Sequence, residues 1–244
     1  MPRSFPARTL LVPTHPPTYA DRVAVLKPQS AFFERFGSRG IAVLERTIAD
    51  ARSAGALVIL DAKRGDIGST VEAYAQAYLD SAAPLFADAL TASPYLGYGS
   101  LEPLYATAEK HGAGVFVLAF TSNPEGGAVQ RALTADGKTV GAAILEGAAA
   151  RNAGLEPMGP IGAVVGATLA EVPFDLSALN GPILAPGLGA QGATPEDLRG
   201  LFGDALHNVV PAMSRELLRH GPDAAGLREA AARSIDACRA ALAY

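Results

Sequence analysis

Short apolar segments alternate with helical patterns along the sequence, and this alternation restricts the possible folds more than any other feature. Segments of four to seven residues are typical of strands buried on both faces of a parallel sheet. Helical patterns separate most of them, so we predict parallel strands joined by right-handed crossovers. Seven segments are convincing: residues 23–26, 57–60, 87–91, 114–120, 161–167, 182–185 and 208–212.

Two architectures fit this pattern, an open doubly wound sheet and a closed (β/α)8 TIM barrel. The position of the polar residues favours the barrel, because that fold brings many strand ends to one site. An eighth strand is required, and residues 9–12 are a weak candidate. The polar residues that follow the carboxyl ends of different strands are Lys27, Asp61, Lys63, Ser122, Gln191 and Arg215.

The start of the chain departs from the repeating pattern. It is rich in proline, and the nine residues 14–22 leave no room for an ordinary crossover helix. We therefore predict that the first β-α unit is missing or replaced. The expected organisation is an atypical Pro-rich segment, 1–22, followed by a single barrel domain, 23–244.

Composition narrows the classes of function. With 244 residues, of which 49% are hydrophobic and 18% charged, the chain can bury a sizeable core. A net charge of −4 gives no electrostatic reason to expect a nucleic acid partner. The single cysteine, Cys238, excludes an intramolecular disulfide and a cysteine-based metal site, and no apolar run approaches a membrane span. We expect a cytoplasmic protein.

The densest cluster of charge follows the strand at residues 57–60. Alternate side chains of an extended chain share a face, so Asp61 and Lys63 are expected to point the same way, with Asp66 just past the turn. Two carboxylates and an ammonium group could thus converge on one small volume. The alternative is an ordinary loop with a surface ion pair, which contributes little to stability.

Residues 187–192 match the G-x-G-x-x-G spacing of dinucleotide-binding loops. We do not interpret the match as a dinucleotide-binding site. The loop follows the penultimate strand, and no acidic residue ends a strand about 20 residues later. A mobile loop whose backbone N–H groups approach an anion fits better. Arg215, at a helix start after the last strand, would complete a phosphate site. An ordinary turn with a surface arginine is the alternative.

The segment 121–124 is open to two interpretations. Its serine, asparagine and proline favour a turn, and Ser122 can equally present its hydroxyl to a polar ring. None of the four histidines has the sequence context of a metal ligand.

Six segments together resemble the orotidine 5'-phosphate decarboxylase family, in one of its bacterial subgroups. The resemblance covers roughly residues 23–244, and the combination is specific although each piece alone is not. The segments are KPQ at 27–29, DAKRGDIGST at 61–70, ASPYLG at 92–97, TSNPE at 121–125, PGLGAQG at 186–192 and PAMSR at 211–215.

The resemblance implies decarboxylation of orotidine 5'-phosphate (OMP) to uridine 5'-phosphate (UMP) in pyrimidine biosynthesis, without metal or cofactor, by a homodimer of barrels. Lys63 matches the proton donor, and Asp61 the carboxylate beside the substrate carboxylate. Asp66 and Thr70 match residues contributed across the dimer interface. The remaining matches to substrate-binding positions are Lys27 in the charge network, Ile67, Ser122 at the base, and Pro186, Gln191 and Arg215 towards the phosphate.

One departure from the family pattern keeps other functions open. The family's first strand ends in an aspartate, whereas residues 12–17 contain none. A truncated or misassigned start is one explanation, and a true variant is another. An inactive or impaired nucleotide-binding barrel is therefore the alternative to an active decarboxylase. A magnesium-dependent sugar-phosphate lyase of the same superfamily is disfavoured by Ile67, Thr70 and the Gln191 loop.

Overall fold

The computed structural model describes residues 10–11 and 21–242. Eight parallel strands form a closed barrel in sequence order. The predicted TIM barrel is therefore confirmed. The strands are β1 Leu10–Leu11, β2 Val25–Leu26, β3 Leu57–Arg64, β4 Ala89–Ala92, β5 Gly114–Phe120, β6 Ile161–Val165, β7 Ile183–Pro186 and β8 Val209–Met213.

Helices surround the barrel and follow most of the strands. They are α1 Ser30–Glu34, α2 Gly37–Ser53, α3 Gly68–Leu79, α4 Glu102–His111, α5 Gly127–Gln130, α6 Val140–Asn152, α7 Asp197–Phe202, α8 Arg215–Leu218 and α9 Ala224–Leu242, with 3-10 turns at Tyr98–Leu101, Pro124–Gly126, Leu176–Leu179 and Gly203–Asn208. No helix in the described ranges is long and apolar enough to cross a membrane.

The barrel closes through its shortest strands. Leu10 pairs in parallel with Val25 on one side and with Ala212 on the other, so the weak segment at 9–12 supplies the eighth strand. Residues 12–20 lie outside the described residues. The expected replacement of the first crossover falls on them and stays a prediction.

The strands from β2 to β8 are largely buried on both faces because two apolar layers meet at the barrel wall. Along β3, Ile59 packs inside the barrel, while Val58 and Leu60 pack against the surrounding helices. Phe116 of β5 belongs to the inner cluster. A side chain at Gly162 would place its Cβ 2.7 Å from the Phe116 ring and 2.4 Å from the Pro182 carbonyl oxygen, so glycine is required there.

Asn152 is a buried polar residue that joins α6 to the barrel wall. Its Nδ2 donates to the carbonyl oxygens of Ile161 (2.7 Å) and Leu179 (3.0 Å). Its Oδ1 accepts a hydrogen bond from the Ile161 N–H at 3.2 Å. One side chain thus satisfies three backbone groups that have no access to water.

We expect Asn152→Leu to lower the free energy of unfolding by about 3 kcal/mol, because buried backbone groups lose their partners. Urea denaturation measures this value. The control Gln76→Leu, on an exposed position of α3, should change stability by less than about 0.5 kcal/mol. Equal effects of the two substitutions would contradict the assignment.

Candidate active site

A cavity of about 240 Å³ opens at the carboxyl ends of β2, β3, β7 and β8. Six predicted site residues line it together: Lys27, Asp61, Lys63, Pro186, Gln191 and Arg215. They are far apart in sequence, and the parallel strands place them at one end of the barrel. Much of the remaining cavity wall is formed by Gln29, Phe32, Leu188 and Ser214.

Asp61 is the centre of the polar network in this cavity. Its Oδ2 accepts a hydrogen bond from Lys27 Nζ at 2.5 Å, and its Oδ1 accepts one from Lys63 Nζ at 2.5 Å. Asp61 and Lys27 are buried, whereas 44% of the Lys63 side chain is exposed. One carboxylate is therefore shared by a buried ammonium group and by one that faces the cavity.

Burial and charge act in opposite directions on these groups. Burial alone would raise the pKa of Asp61, but the charges and hydrogen bonds of Lys27 and Lys63 outweigh it and hold that pKa below the usual aspartate value. Burial lowers the pKa of Lys27, and the Asp61 carboxylate offsets this only in part. Asp61 is consequently ionised at neutral pH.

The end of β3 is irregular where the two charged side chains meet. Leu60 pairs with Leu90, and Arg64 pairs with Ala92. Four residues along β3 therefore correspond to only two residues along β4. Lys63 has a φ of +47°, in the left-handed region that is uncommon outside glycine. The expected proximity of Asp61 and Lys63 is thus achieved by a bulge and not by a regular extended strand.

Thr91 of β4 faces this bulge and was not identified from the sequence. Its hydroxyl donates to Asp61 Oδ1 at 2.9 Å, and it accepts a hydrogen bond from the Lys63 N–H at 2.9 Å. The available signal was a single hydroxyl within an apolar strand. Gln29 and Phe32 also line the cavity, and the sequence did not predict them as site residues. Both lie shortly after β2 and Lys27.

The opposite side of the cavity is formed by the loop after β7. Gly189 N–H donates to the Ala193 carbonyl and Gly192 N–H to the Gly189 carbonyl, both at 2.8 Å. Gly189 (φ +70°) and Gly192 (φ +100°) adopt conformations that favour glycine. These bonds give the loop a defined shape and present Gln191 to the cavity.

Ser122 reaches the same region from β5. Its hydroxyl donates to Gln191 Oε1 at 3.3 Å. The neighbouring turn is held by Thr121 Oγ1, which donates to Asn123 Oδ1 at 2.6 Å. The segment therefore combines turn chemistry with a hydroxyl directed towards the loop that carries Gln191.

Asp66, Ile67 and Thr70 lie outside this cavity, on the turn after β3 and the first turn of α3. Asp66 Oδ1 accepts a hydrogen bond from the Ile67 N–H at 2.8 Å. Asp66 thus does not converge with Asp61 and Lys63 within one chain. Ile67 is 62% exposed, which is high for an aliphatic side chain.

This turn packs against the loop after β4. A Cβ on Gly65 would lie 2.2 Å from the Ser93 carbonyl oxygen, so only glycine permits the close approach. The second loop carries Tyr95 and Leu96, which are 78% and 54% exposed. Exposed apolar side chains therefore lie on both of these neighbouring segments, Ile67 after the first and Tyr95 and Leu96 on the second.

Metal-binding side chains do not cluster in the part of the chain that the structure describes: no group of three or more His, Cys, Asp or Glu residues is placed to hold an ion. His15 lies outside the described residues.

Comparison with known proteins decides the family. The model of the "Orotidine 5'-phosphate decarboxylase / HUMPS family" matches residues 18–230. The chain belongs to this family. It is 67% identical over 215 residues to the orotidine 5'-phosphate decarboxylase of Streptomyces coelicolor, covering 88% of this chain and 77% of that relative.

Solved structures of family members superpose well on the chain. A Streptomyces avermitilis protein of this family matches with a TM-score of 0.88 and 62% identity, over 93% of this chain and 80% of that one. The OMP decarboxylase of Leishmania donovani matches with a TM-score of 0.74 and 31% identity, over 98% and 95% of the two chains. The barrel is thus the fold of the family.

We expect Asp61→Asn to lower the free energy of unfolding at pH 7 by about 3 kcal/mol, because it leaves the buried Lys27 ammonium without its counter-charge. The low folded-state pKa of Asp61 stabilises the fold fully above the unfolded value of about 3.9, and this contribution is lost as the pH falls through the folded-state pKa. Stability of the variant should therefore fall less steeply in acid than that of the wild type.

Urea denaturation between pH 2.5 and 7 tests both effects. The control Asp236→Asn removes an exposed carboxylate 3.8 Å from Arg239 and should change stability by less than about 0.5 kcal/mol. An Asp61→Asn variant as stable as the wild type at pH 7 would contradict the electrostatic assignment.

Proposed function

We propose that the protein decarboxylates OMP to UMP in de novo pyrimidine biosynthesis and acts in the cytoplasm. The observation that carries the proposal is the Asp61 carboxylate held between Lys27 and Lys63 in a cavity of an orotidine 5'-phosphate decarboxylase family barrel. Relatives with 62–67% identity bear the name of this carboxy-lyase. The substrate is correspondingly a pyrimidine nucleotide with a carboxylate on its ring.

Asp61 acts on the substrate carboxylate by electrostatic repulsion. Two like charges about 4 Å apart repel by roughly 4 kcal/mol at an effective dielectric constant of 20. The repulsion raises the energy of bound substrate and disappears as neutral carbon dioxide departs. Lys27 and Lys63 keep Asp61 ionised, so the repulsion persists at neutral pH.

Lys63 supplies the proton. The bond between the ring carbon and the carboxylate breaks, its electron pair stays on the ring carbon, and carbon dioxide leaves. The Lys63 ammonium group then transfers a proton to that carbon and regains one from solvent, to which its side chain is 44% exposed. Its positive charge also stabilises the developing carbanion.

The remainder of the cavity, together with Ser122 beside the Gln191 loop, binds the rest of the nucleotide. Ser122 contacts the base, while Gln191 and Arg215 bind the phosphate beside Pro186. Phosphate contacts remote from the reacting carbon hold the ring in place and favour closure of the Gln191 loop over it. Lys27 serves the charge network from its buried position.

A homodimer completes the site in this proposal. Asp66 and Thr70 enter the partner's cavity, which accounts for their position outside their own. Ile67, Tyr95 and Leu96 supply an apolar surface beside them that a second copy would cover. Each barrel therefore needs its partner for a complete set of charges.

The N-terminal departure bears on activity and not on the identity of the substrate. We propose residues 1–22 as an atypical Pro-rich segment that supplies the two-residue strand β1 to the wall, and 23–244 as the single barrel domain. The inactive nucleotide-binding barrel was suggested by the absence of an aspartate from residues 12–17, and it is not favoured by the identity to named decarboxylases. The magnesium-dependent lyase is not favoured, given the identity to named decarboxylases.

We expect Lys63→Ala to lower kcat for OMP about 10²- to 10⁴-fold, the usual effect of removing a general acid, while UMP still binds. The decrease of OMP absorbance measures turnover, and calorimetry measures UMP binding. The control Lys110→Ala, at the exposed end of α4, should leave both unchanged.

Three results separate the candidates. Wild-type turnover that survives a chelator supports the metal-free decarboxylase. Tight UMP binding without any wild-type turnover would favour the inactive barrel. Turnover abolished by the chelator would favour the lyase class.

The dimer proposal predicts complementation between two inactive variants. In every mixed dimer of Lys63→Ala and Asp66→Asn, both substitutions fall on one site and the second site is intact. Random reassociation makes about half of the dimers mixed, so about a quarter of the wild-type activity should return.

Mixing Lys63→Ala with Asp61→Asn is the matched control, because both residues lie in the cavity of their own chain. That mixture should stay inactive. Absence of recovery in the first mixture, or a monomer in analytical ultracentrifugation, would contradict the contribution of Asp66 across an interface.

A further inference from the structure

We infer that Thr91 is a positioning residue for the proposed decarboxylation, an assignment that rests on the proposed function. Thr91 lies on β4 and is 1% exposed. Its hydroxyl joins the Asp61 carboxylate to the backbone of Lys63 through two hydrogen bonds of 2.9 Å. It therefore contacts both proposed catalytic residues without lining the cavity.

The direction of these two hydrogen bonds is determined by chemistry. An ionised carboxylate only accepts hydrogen bonds, and a backbone N–H only donates. The single hydroxyl proton of Thr91 must therefore point to Asp61, and its oxygen lone pair to Lys63. Because a β-branched side chain has restricted χ1 freedom, the hydroxyl is held in this orientation.

The bulge in β3 makes the hydroxyl necessary. Between Leu60 and Arg64 the register against β4 shifts, and Lys63 adopts its left-handed conformation. In this irregular stretch the Thr91 side chain supplies the acceptor for the Lys63 N–H. A backbone conformation of this kind persists only when the surroundings hold it in place. Thr91 thereby determines where the Lys63 side chain leaves the strand.

The same hydroxyl also helps keep Asp61 ionised. The charged groups facing Asp61 are Lys27 and Lys63, and Thr91 is the neutral donor that completes its coordination. A donor to the charged form of an acid lowers its pKa. Loss of the hydroxyl should thus disturb both the charge of Asp61 and the position of Lys63.

The test compares three variants by steady-state kinetics on OMP. Thr91→Val preserves the shape of the side chain but removes the hydroxyl, and kcat should fall about 10- to 100-fold with KM changed less than about threefold. Thr91→Ser keeps the hydroxyl and should recover kcat to within about threefold of the wild type. If Thr91→Val does not fold, Thr91→Cys replaces it, because a thiol is a weak donor and acceptor.

Thr47→Val is the matched control for a purely structural hydroxyl. Thr47 is also buried, and its hydroxyl donates to the Val43 carbonyl at 2.7 Å within α2. This variant is expected to lose stability in urea without a change in kcat or in the pH profile. The two threonine-to-valine substitutions thus separate loss of stability from loss of positioning.

A measurement that needs no turnover keeps the inference separate from the proposed function. Carbon-13 NMR of the Asp61 carboxyl carbon should show a higher titration midpoint in Thr91→Val than in the wild type, and an unchanged midpoint in Thr47→Val. The acid limb of kcat/KM should move in the same direction.

Wild-type protein that does not turn over OMP would refute the proposed function, and the NMR midpoint would still test the contact with Asp61. The inference about Thr91 is overturned if Thr91→Val has the kcat and midpoint of the wild type. It is also overturned if Thr91→Ser is as impaired as Thr91→Val.

Discussion

A single buried carboxylate shared by two ammonium groups is the interaction on which the site depends. Asp61 holds Lys27 in the interior and Lys63 at the cavity surface, so this cluster of three groups carries one unbalanced positive charge when all are ionised. Charges removed from water are costly unless they are paired. An anion beside this cluster would restore the balance, which supports the negatively charged substrate proposed for the cavity.

The surrounding barrel keeps this cluster rigid. Two apolar layers bury β3 on both sides up to Leu60, and the bulge begins directly after them. Arg64, the next residue after Lys63, pairs with Glu34 of α1 and lies 5.4 Å above the Tyr74 ring of α3. Packing thus fixes the strand before the charged residues, and an ion pair and an aromatic contact fix it after them.

The sequence predicted the architecture well because burial has a periodic signal. Uninterrupted apolar segments such as 114–120 identify strands buried on both faces, and polar residues at their ends mark the edge of the site. Only the family resemblance implied that Asp66 lies outside its own cavity, and the left-handed conformation of Lys63 has no signal in the sequence. That conformation occurs where the register between β3 and β4 shifts, which is a property of tertiary packing.

Thr91 shows the same limit at the level of one side chain. Threonine is common in strands because of its β-propensity, so its presence there does not indicate a functional role. Only the bulge opposite Thr91 gives its hydroxyl two partners, Asp61 and the Lys63 N–H. The closing strand is the converse case. Leu10–Leu11 was the weakest candidate in the sequence, and its pairing with both β2 and β8 is needed to close the barrel.

The central claim is that this barrel removes the carboxylate of OMP and that Lys63 delivers a proton to the same ring carbon. The most direct measurement is NMR of the product formed by the purified full chain in D₂O. The account predicts UMP with one deuterium at the carbon that carried the carboxylate. Unchanged OMP, or a product in which that carbon keeps its carboxylate, would contradict it.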